Sequence, residues 1–417
     1  MNKKIVTLFS LLVLASFVLA ACQPAATTTE ETEVELIKIG GMFPFTGALG
    51  EFGSSFVQAT SLAEDDLEKA GFNVYIVTAD TETEAVASVE AARRLVEVEG
   101  VLVLVGAASS GNSVAVAESV TIPAQVPQIS YASTSPMLTA LPDDQEADFL
   151  FRTAPSDALQ GPVLADLVTE MGYTNVSTMY VNNPYGVGLN NAFKKAFEAQ
   201  GGTVSAEVPH DEAAATSYTA ELELAVAGAP EAMIAITYPG QATIFLKEAL
   251  EGGFIDTFVF VDGTKSLDIV TAIGADAVEG MCGTAPGSKE TDSLAAFEAG
   301  WELAYGEISP YPFLPPAYDA VVLAALAAYE AQVAGEEVTP ASIRDHLRSV
   351  SGPPGEVVLA GPEGLTKARE LLADGQEINF VGASGDIDLD EFGDVSAPIE
   401  TWCYEAGDIV SKGLTGE

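Results

Sequence analysis

Two hydroxyl-rich turns define the chemistry open to this sequence. The first, Gly106-Ala107-Ala108-Ser109-Ser110-Gly111-Asn112-Ser113, follows the apolar run 101–105 and opens a helical segment. The second, Ser133-Thr134-Ser135-Pro136, closes the strand-like stretch that begins at Ile129. Strand-to-helix turns of this kind sit at the carboxyl edge of a parallel sheet, where unpaired N–H groups of a helix N-terminus attract a carboxylate or phosphate. Gly106 to Ser113 has the spacing of a phosphate-binding loop, but Asn112 stands where its lysine belongs. Without that cation a nucleoside triphosphate is poorly held, and a small carboxylate fits better. Serine and threonine also cap ordinary helices and turns, so the hydroxyls alone do not make a site.

Other chemistries find little support. No G-x-S-x-G elbow occurs, the two histidines, His210 and His346, assemble no serine–histidine–aspartate set, and no metal-ligand cluster is spaced for zinc. Gly186-Val187-Gly188 begins a dinucleotide fingerprint, but Asn191 replaces its third glycine. The expectation is a binding protein with no catalytic residues, no metal and no cofactor. A formal net charge of −44 argues against nucleic acid or anionic lipid as a partner.

The elements that must position these turns begin after a leader. Met1-Asn2-Lys3-Lys4 supplies a positive start, residues 5–20 an apolar core too short for a comfortable span, and Leu19-Ala20-Ala21-Cys22 a small-residue processing site. This resembles a bacterial lipoprotein signal, which implies cleavage after residue 21, lipid on Cys22 and an exported protein anchored to a membrane. Residues 22–33 read as a flexible tether. Cys282 and Cys403, far apart in sequence, can pair in an oxidising compartment or remain free.

From residue 36 strands and helices alternate: strand 36–42, helix 54–70, strand 74–77 and helix 84–97, with Val86, Val89, Leu95 and Val96 on the inward face. The pattern restarts with helix 158–171, strand 176–181, helix 188–200, strand 203–209, helix 218–227, strand 232–237, helix 242–251 and strand 258–261. Two successive doubly wound α/β units follow from this alternation. Helices over 294–305, 317–332 and 339–349 and strands over 378–381 and 399–404 complete the chain.

Phe43-Pro44-Phe45-Thr46-Gly47, the turn at 106–113, Phe151-Arg152-Thr153 with Ser156-Asp157 and Gln160-Gly161, Tyr185-Gly186, Ala317-Tyr318-Asp319-Ala320 and Gly382-Ala383-Ser384-Gly385-Asp386-Ile387 together resemble the leucine/isoleucine/valine-binding protein family. Those are type I periplasmic substrate-binding components of ABC importers. The resemblance spans residue 36 to the end with its motifs in order. It implies two Rossmann-like lobes joined by three crossovers, near 153–157, 281–284 and 399–403, with ligand trapped between them. The first lobe then takes 34–156 and 285–398, the second 157–284 and 399–417. Cys282 and Cys403 fall on neighbouring crossovers, where a disulfide would tie two of them together.

The resemblance also implies a site. Ser110, Thr134 and the backbone around Ser133 would hold an amino acid's carboxylate and part of its ammonium, with Ser113 helping to open the adjoining helix. Asp262, which follows a buried strand at its carboxyl end, would meet the ammonium, with Asp157 as a second candidate. Tyr185, Tyr238 and Tyr318 would line the cleft or wall the side-chain pocket, and Phe52 stands where relatives often carry tyrosine. The implied function is capture of an amino acid, most readily a branched-chain one, by a monomer that delivers it to ABC-transporter permease subunits. A small amide or urea as ligand, or a sensing role with a separate membrane receptor, are the alternatives.

Overall fold

The computed structural model describes residues 35–415. The export signal, Cys22 and the tether lie outside the described residues, as do residues 34 and 416–417. The first half of the chain gives β1 (Ile37–Phe43), α1 (Gly50–Lys69), β2 (Val74–Asp80), α2 (Ala85–Arg93), β3 (Val103–Val105), α3 (Ser110–Val116), β4 (Gln128–Ser130) and β5 (Leu150–Arg152). These strands form one parallel sheet in the order β2-β1-β3-β4-β5. Strand order reverses between β1 and β3, so the loops after those strands turn to opposite faces and leave a crevice at the carboxyl edge.

The same device is built a second time. The chain continues through α4 (Asp157–Glu170), β6 (Asn175–Val181), α5 (Pro184–Ala199), β7 (Thr203–His210), α6 (Thr219–Ala225), β8 (Ala232–Ile236), α7 (Pro239–Gly252), β9 (Phe258–Val259) and α8 (Leu267–Ile273). The second sheet is parallel in the order β7-β6-β8-β9, with its reversal between β6 and β8. Every residue of β8 is buried, the continuous apolar strand expected when helices cover both faces of a parallel sheet.

The chain then returns through β10 (Cys282–Pro286), α9 (Asp292–Tyr305), α10 (Leu314–Val333), α11 (Pro340–His346), β11 (Glu356–Leu359), α12 (Gly361–Ala373), β12 (Ile378–Gly382), β13 (Gly385–Asp386), β14 (Ile399–Glu405) and β15 (Asp408–Thr415). Helix α10 buries residues on all its faces and packs on α1, which places it at the centre of the first lobe. Asp319 on α10 accepts bonds from the Ala383 and Ser384 amides, at 2.7 and 2.8 Å, and from the Ser384 hydroxyl at 2.6 Å, so the Gly-Ala-Ser-Gly turn between β12 and β13 is locked to the core. β10 and β14 pair antiparallel with Cys282 opposite Cys403, and the two sulfurs are bonded.

Helices α5, α7 and α10 begin three or four residues earlier than the apolar period suggests, at Pro184, Pro239 and Leu314. Each has proline in its first turn, where the fixed φ suits a helix and the missing N–H is an orphan donor anyway. Strand β15 is an addition to the strands that the sequence pattern predicts. It returns on β14 through Ala406 and Gly407, with φ of 54° and 84°, the paired positive values of a tight hairpin turn.

Candidate functional site

The two strand-order reversals face each other across a cavity lined from the first lobe by Leu49, Phe52, Phe56, Ala108, Ser109, Ser110, Ala132 and Phe313. Tyr185, Tyr238, Asp262 and Gly263 line it from the second, and about 340 Å³ is free of protein atoms, the open mouth included. Neither lysine nor arginine is among these residues.

On the first lobe the hydroxyl turns brace one another. Ser113 accepts from the Ala107 amide at 3.0 Å and from the Ser133 hydroxyl at 2.8 Å, and Ser110 accepts from the Ser135 amide at 3.2 Å. Arg152, fully buried, forks onto Asp394 with two bonds of 2.6 Å and donates to the carbonyls of Ser133 and Ser135 at 3.3 and 3.0 Å. A buried bidentate ion pair therefore pins the second turn beneath the first. Helix α3, opened by Ser110, runs on through a π-helical turn at Ala117–Thr121 to Ala124, so its N-terminal field is that of a longer helix.

On the second lobe Asn183 caps α5, its Oδ1 accepting from the Gly186 amide at 3.0 Å, and this aims Tyr185 into the cavity. Tyr238 sits at the cap of α7, and the two rings stack at 5.4 Å with 11° between their planes. The Tyr185 hydroxyl donates to Asp262 Oδ1 at 2.8 Å, and Gln160 Nε2 donates to the same oxygen at 2.9 Å. Gly263 is required next: a Cβ there would lie 2.3 Å from the Thr237 carbonyl oxygen. Asp157, at the start of α4, is fully buried, and neither of its carboxylate oxygens has a hydrogen-bond partner; nor does the buried hydroxyl of Thr134, whose carbonyl accepts the Asp157 amide at 2.7 Å.

Two buried carboxyl groups thus stand together with no ion pair to either among the described residues, Arg152 acting on Asp157 only through space. Burial pushes Asp262 up to about 6 although the Tyr185 hydroxyl and Gln160 amide pull it down. Burial first, and then the charge of Asp262, hold Asp157 well above the usual carboxylate range. An unpaired buried carboxylate is costly, so this pair is built for a proton or for a ligand that brings positive charge. Leu49, Phe52, Phe56 and Phe313 give the cavity its apolar lining, and Phe52 packs on Tyr311 with ring centroids 5.1 Å apart. Phe313 takes φ of 68°, a left-handed conformation that a non-glycine residue holds at a cost of about 1–3 kcal/mol.

The structure brings Ser110, Tyr185, Tyr238, Asp262 and Phe52 together at the cavity, with Asp157 and Thr134 buried beside them. Two of the expected residues lie off the cavity lining. Ser133 is fully buried: its amide donates to Ser130 Oγ at 3.1 Å, its hydroxyl to Ser113, and its carbonyl accepts from Arg152. Tyr318 lies in the first-lobe core, where its hydroxyl donates to Asp66 at 3.1 Å and accepts from the Gly361 amide at 3.0 Å; its ring packs on Phe297. Sequence reading missed Phe56 and Phe313 as walls and Gln160 and Asn183 as props. Gln160 had a signal, since three residues after Asp157 on one helix puts it on the same face. Asn183 had one too, as an Asn-Pro pair before a helix.

Comparisons with known proteins speak for the family and the fold. The sequence model of the family described as periplasmic binding protein matches residues 36–371. The chemotactic signal transduction system substrate-binding protein BasB of Halobacterium salinarum is 26% identical over 363 residues, covering 85% of this chain and 83% of that protein. The solved leucine binding protein LivK of Thermotoga maritima superposes with a TM-score of 0.75 at 24% identity, over 91% of this chain and 99% of that one. A solute binding protein of an ABC transporter from R. palustris, in complex with benzoate, gives 0.70 at 18% identity, over 91% and 96%. At these identities the two structures speak for the fold alone, a two-lobed α/β architecture with parallel sheets. The family match runs from the first strand through most of the first lobe's final helix, and the chain therefore belongs to the periplasmic binding protein family.

Proposed function

We propose that this protein is an extracytoplasmic solute-binding lipoprotein of an ABC importer, capturing an aliphatic α-amino acid by closure of its two lobes and delivering it to the membrane permease. The observation that carries the reading is the buried pair Asp157 and Asp262, which has no cation among the residues of the cavity. An α-ammonium supplies that cation. The ligand carboxylate lies against Ser110 at the start of α3, with Thr134 behind it, where helix N–H groups favour an anion. The apolar lining formed by Leu49, Phe52, Phe56 and Phe313 takes the side chain. In this reading Cys22 carries the lipid anchor and the protein works as a monomer. No helix among the described residues is long and apolar enough to cross a membrane.

Closure is the working step. The ligand docks on the first lobe, and Tyr185, Tyr238 and Asp262 arrive with the second. Only contacts that differ between open and closed forms shift that equilibrium, so the second-lobe residues carry the switch. A sensing role with a separate membrane receptor is the second reading, favoured by the name of the haloarchaeal relative.

A thermal-shift screen of L-leucine, L-isoleucine and L-valine against benzoate and urea tests the substrate class. The reading expects stabilisation by the amino acids, worth about 2.7 kcal/mol at a hundredfold excess over the dissociation constant. Stabilisation by benzoate or urea alone contradicts it. A pull-down of amino-acid permease subunits, as opposed to a chemotaxis transducer, by the loaded protein separates transport from sensing.

A further inference from the structure

Ligand-binding proteins that work by closure depend on contacts that never touch the ligand, and one such contact stands out here. Glu51, the second residue of α1, does not line the cavity. Its carboxylate crosses to the second lobe, where Oε1 accepts from the amides of Leu267 at 3.0 Å and Asp268 at 3.1 Å and Oε2 accepts from the Ser266 hydroxyl. Those donors are the open N-terminus of α8. Ser266 occupies the cap position there but makes no side-chain capping bond of its own. The first lobe therefore caps a helix of the second, and supplies the negative charge that a helix start favours.

Most other contacts across the cleft among the described residues are neutral, the bond from the Ser109 hydroxyl to the Glu212 carboxylate excepted. Ser109 and Tyr238 share a hydroxyl bond of 3.1 Å, Ser135 donates to the Pro184 carbonyl at 2.7 Å, and the Gly240 amide donates to the Ala48 carbonyl at 3.2 Å. Bonds to an ionised carboxylate are roughly twice as strong as neutral ones. Glu51 is also continuous with the pocket: it neighbours Phe52, whose ring packs on Tyr311, and the Tyr311 hydroxyl bonds to Glu51 itself.

We infer that Glu51 is a latch for the closed form, a positioning residue that sets ligand affinity and residence time by capping α8 across the cleft. Opening the lobes removes its three second-lobe donors at once and leaves the start of α8 to water. The inference rests on closure as the binding step, as proposed above, but not on which ligand is bound.

Hydrogen–deuterium exchange on the full chain in detergent, read by mass spectrometry, tests it with Glu51→Ala and Glu51→Gln. If Glu51 is a latch, Glu51→Ala accelerates exchange at Leu267 and Asp268 and also at Gly240, whose amide belongs to α7 and is bonded across the cleft to the Ala48 carbonyl. Dissociation of L-leucine then quickens about tenfold, with the association rate little changed. Glu51→Gln, which keeps an acceptor but loses the charge, falls between Glu51→Ala and wild type. If Glu51 is only a local cap, Leu267 and Asp268 alone exchange faster, while Gly240 and the leucine off-rate stay at wild-type values; that result overturns the inference. Should leucine fail to bind the wild type, the proposed ligand class falls, yet the exchange at Gly240 in ligand-free protein still decides the latch.

Discussion

A carboxylate pair kept from water without an ion-pair partner destabilises the fold that holds it, and Asp157 and Asp262 should reveal this by titration. Asp262 is raised from an ordinary 3.8 to about 6 by burial. Its folded form therefore favours the proton: the associated stability is full below the ordinary value and is lost as pH rises through 6. Asp319, raised to about 7 by burial, acts in the same direction. Ligand-free protein is thus expected to melt at higher temperature at pH 5 than at pH 8. Leucine affinity moves the other way, weakening about tenfold per pH unit below 6, because the ammonium must displace the proton on Asp262. Calorimetric scans and titrations across pH 5–8 check both signs. Asp262→Asn separates the roles again: it should weaken leucine binding by at least about a hundredfold, some 3 kcal/mol, while raising the melting temperature of the empty protein at pH 8 by a few degrees. Of these residues, Asp262 stands out in the sequence because it follows a buried strand at its carboxyl end, whereas Ser110, Tyr185 and Tyr238 are singled out only by the family resemblance. Ser133 and Tyr318 could not be placed, since nothing local tells which hydroxyl of a serine-rich turn points inward, or that a tyrosine on α10 meets Asp66 from α1.

At the scale of elements, the first-lobe half of the site depends on Arg152 holding the turn after β4. Its guanidinium joins β5 to Asp394, on the segment that precedes β14, and to the carbonyls above it. Arg152→Met removes the cation and leaves Asp394 with a partly buried, unpaired charge. A loss of about 3–5 kcal/mol in denaturant unfolding is expected. The alternation of strands and helices was legible because buried parallel strands and amphipathic helices have distinct periods. Helix starts were not, because proline and glycine at Pro184, Pro239 and Gly50 carry no apolar signal although they begin helices. β15 escaped because a polar edge strand such as Asp408–Thr415, mostly exposed, lacks the alternation by which strands are recognised.

For the whole molecule, the bond between Cys282 and Cys403 closes a loop with a sequence separation of 121 and joins β10 to β14. Replacing both cysteines by serine should cost about 2–4 kcal/mol of stability, mainly by freeing the unfolded chain. The cavity residues lie on other elements, so leucine affinity should change by less than about threefold, a shift under about 0.7 kcal/mol; chemical denaturation and binding on the same variant distinguish the two effects. Two lobes and the order of their motifs were visible in the sequence, whereas the contacts that close them were not. Glu51 meets Leu267 and Asp268 across more than two hundred residues of chain, and no local pattern announces such a partner.

The central claim is that the cavity recognises an α-ammonium through Asp157 and Asp262. Isothermal titration at pH 7.5 with L-leucine and with 4-methylpentanoate, the same molecule without its amino group, tests it most directly. The account predicts measurable binding of leucine and at least about a hundredfold weaker binding of the des-amino acid, a difference near 3 kcal/mol. Equal binding of the two, or tighter binding of 4-methylpentanoate, would contradict it, because the acidic pair would then have no part in recognition.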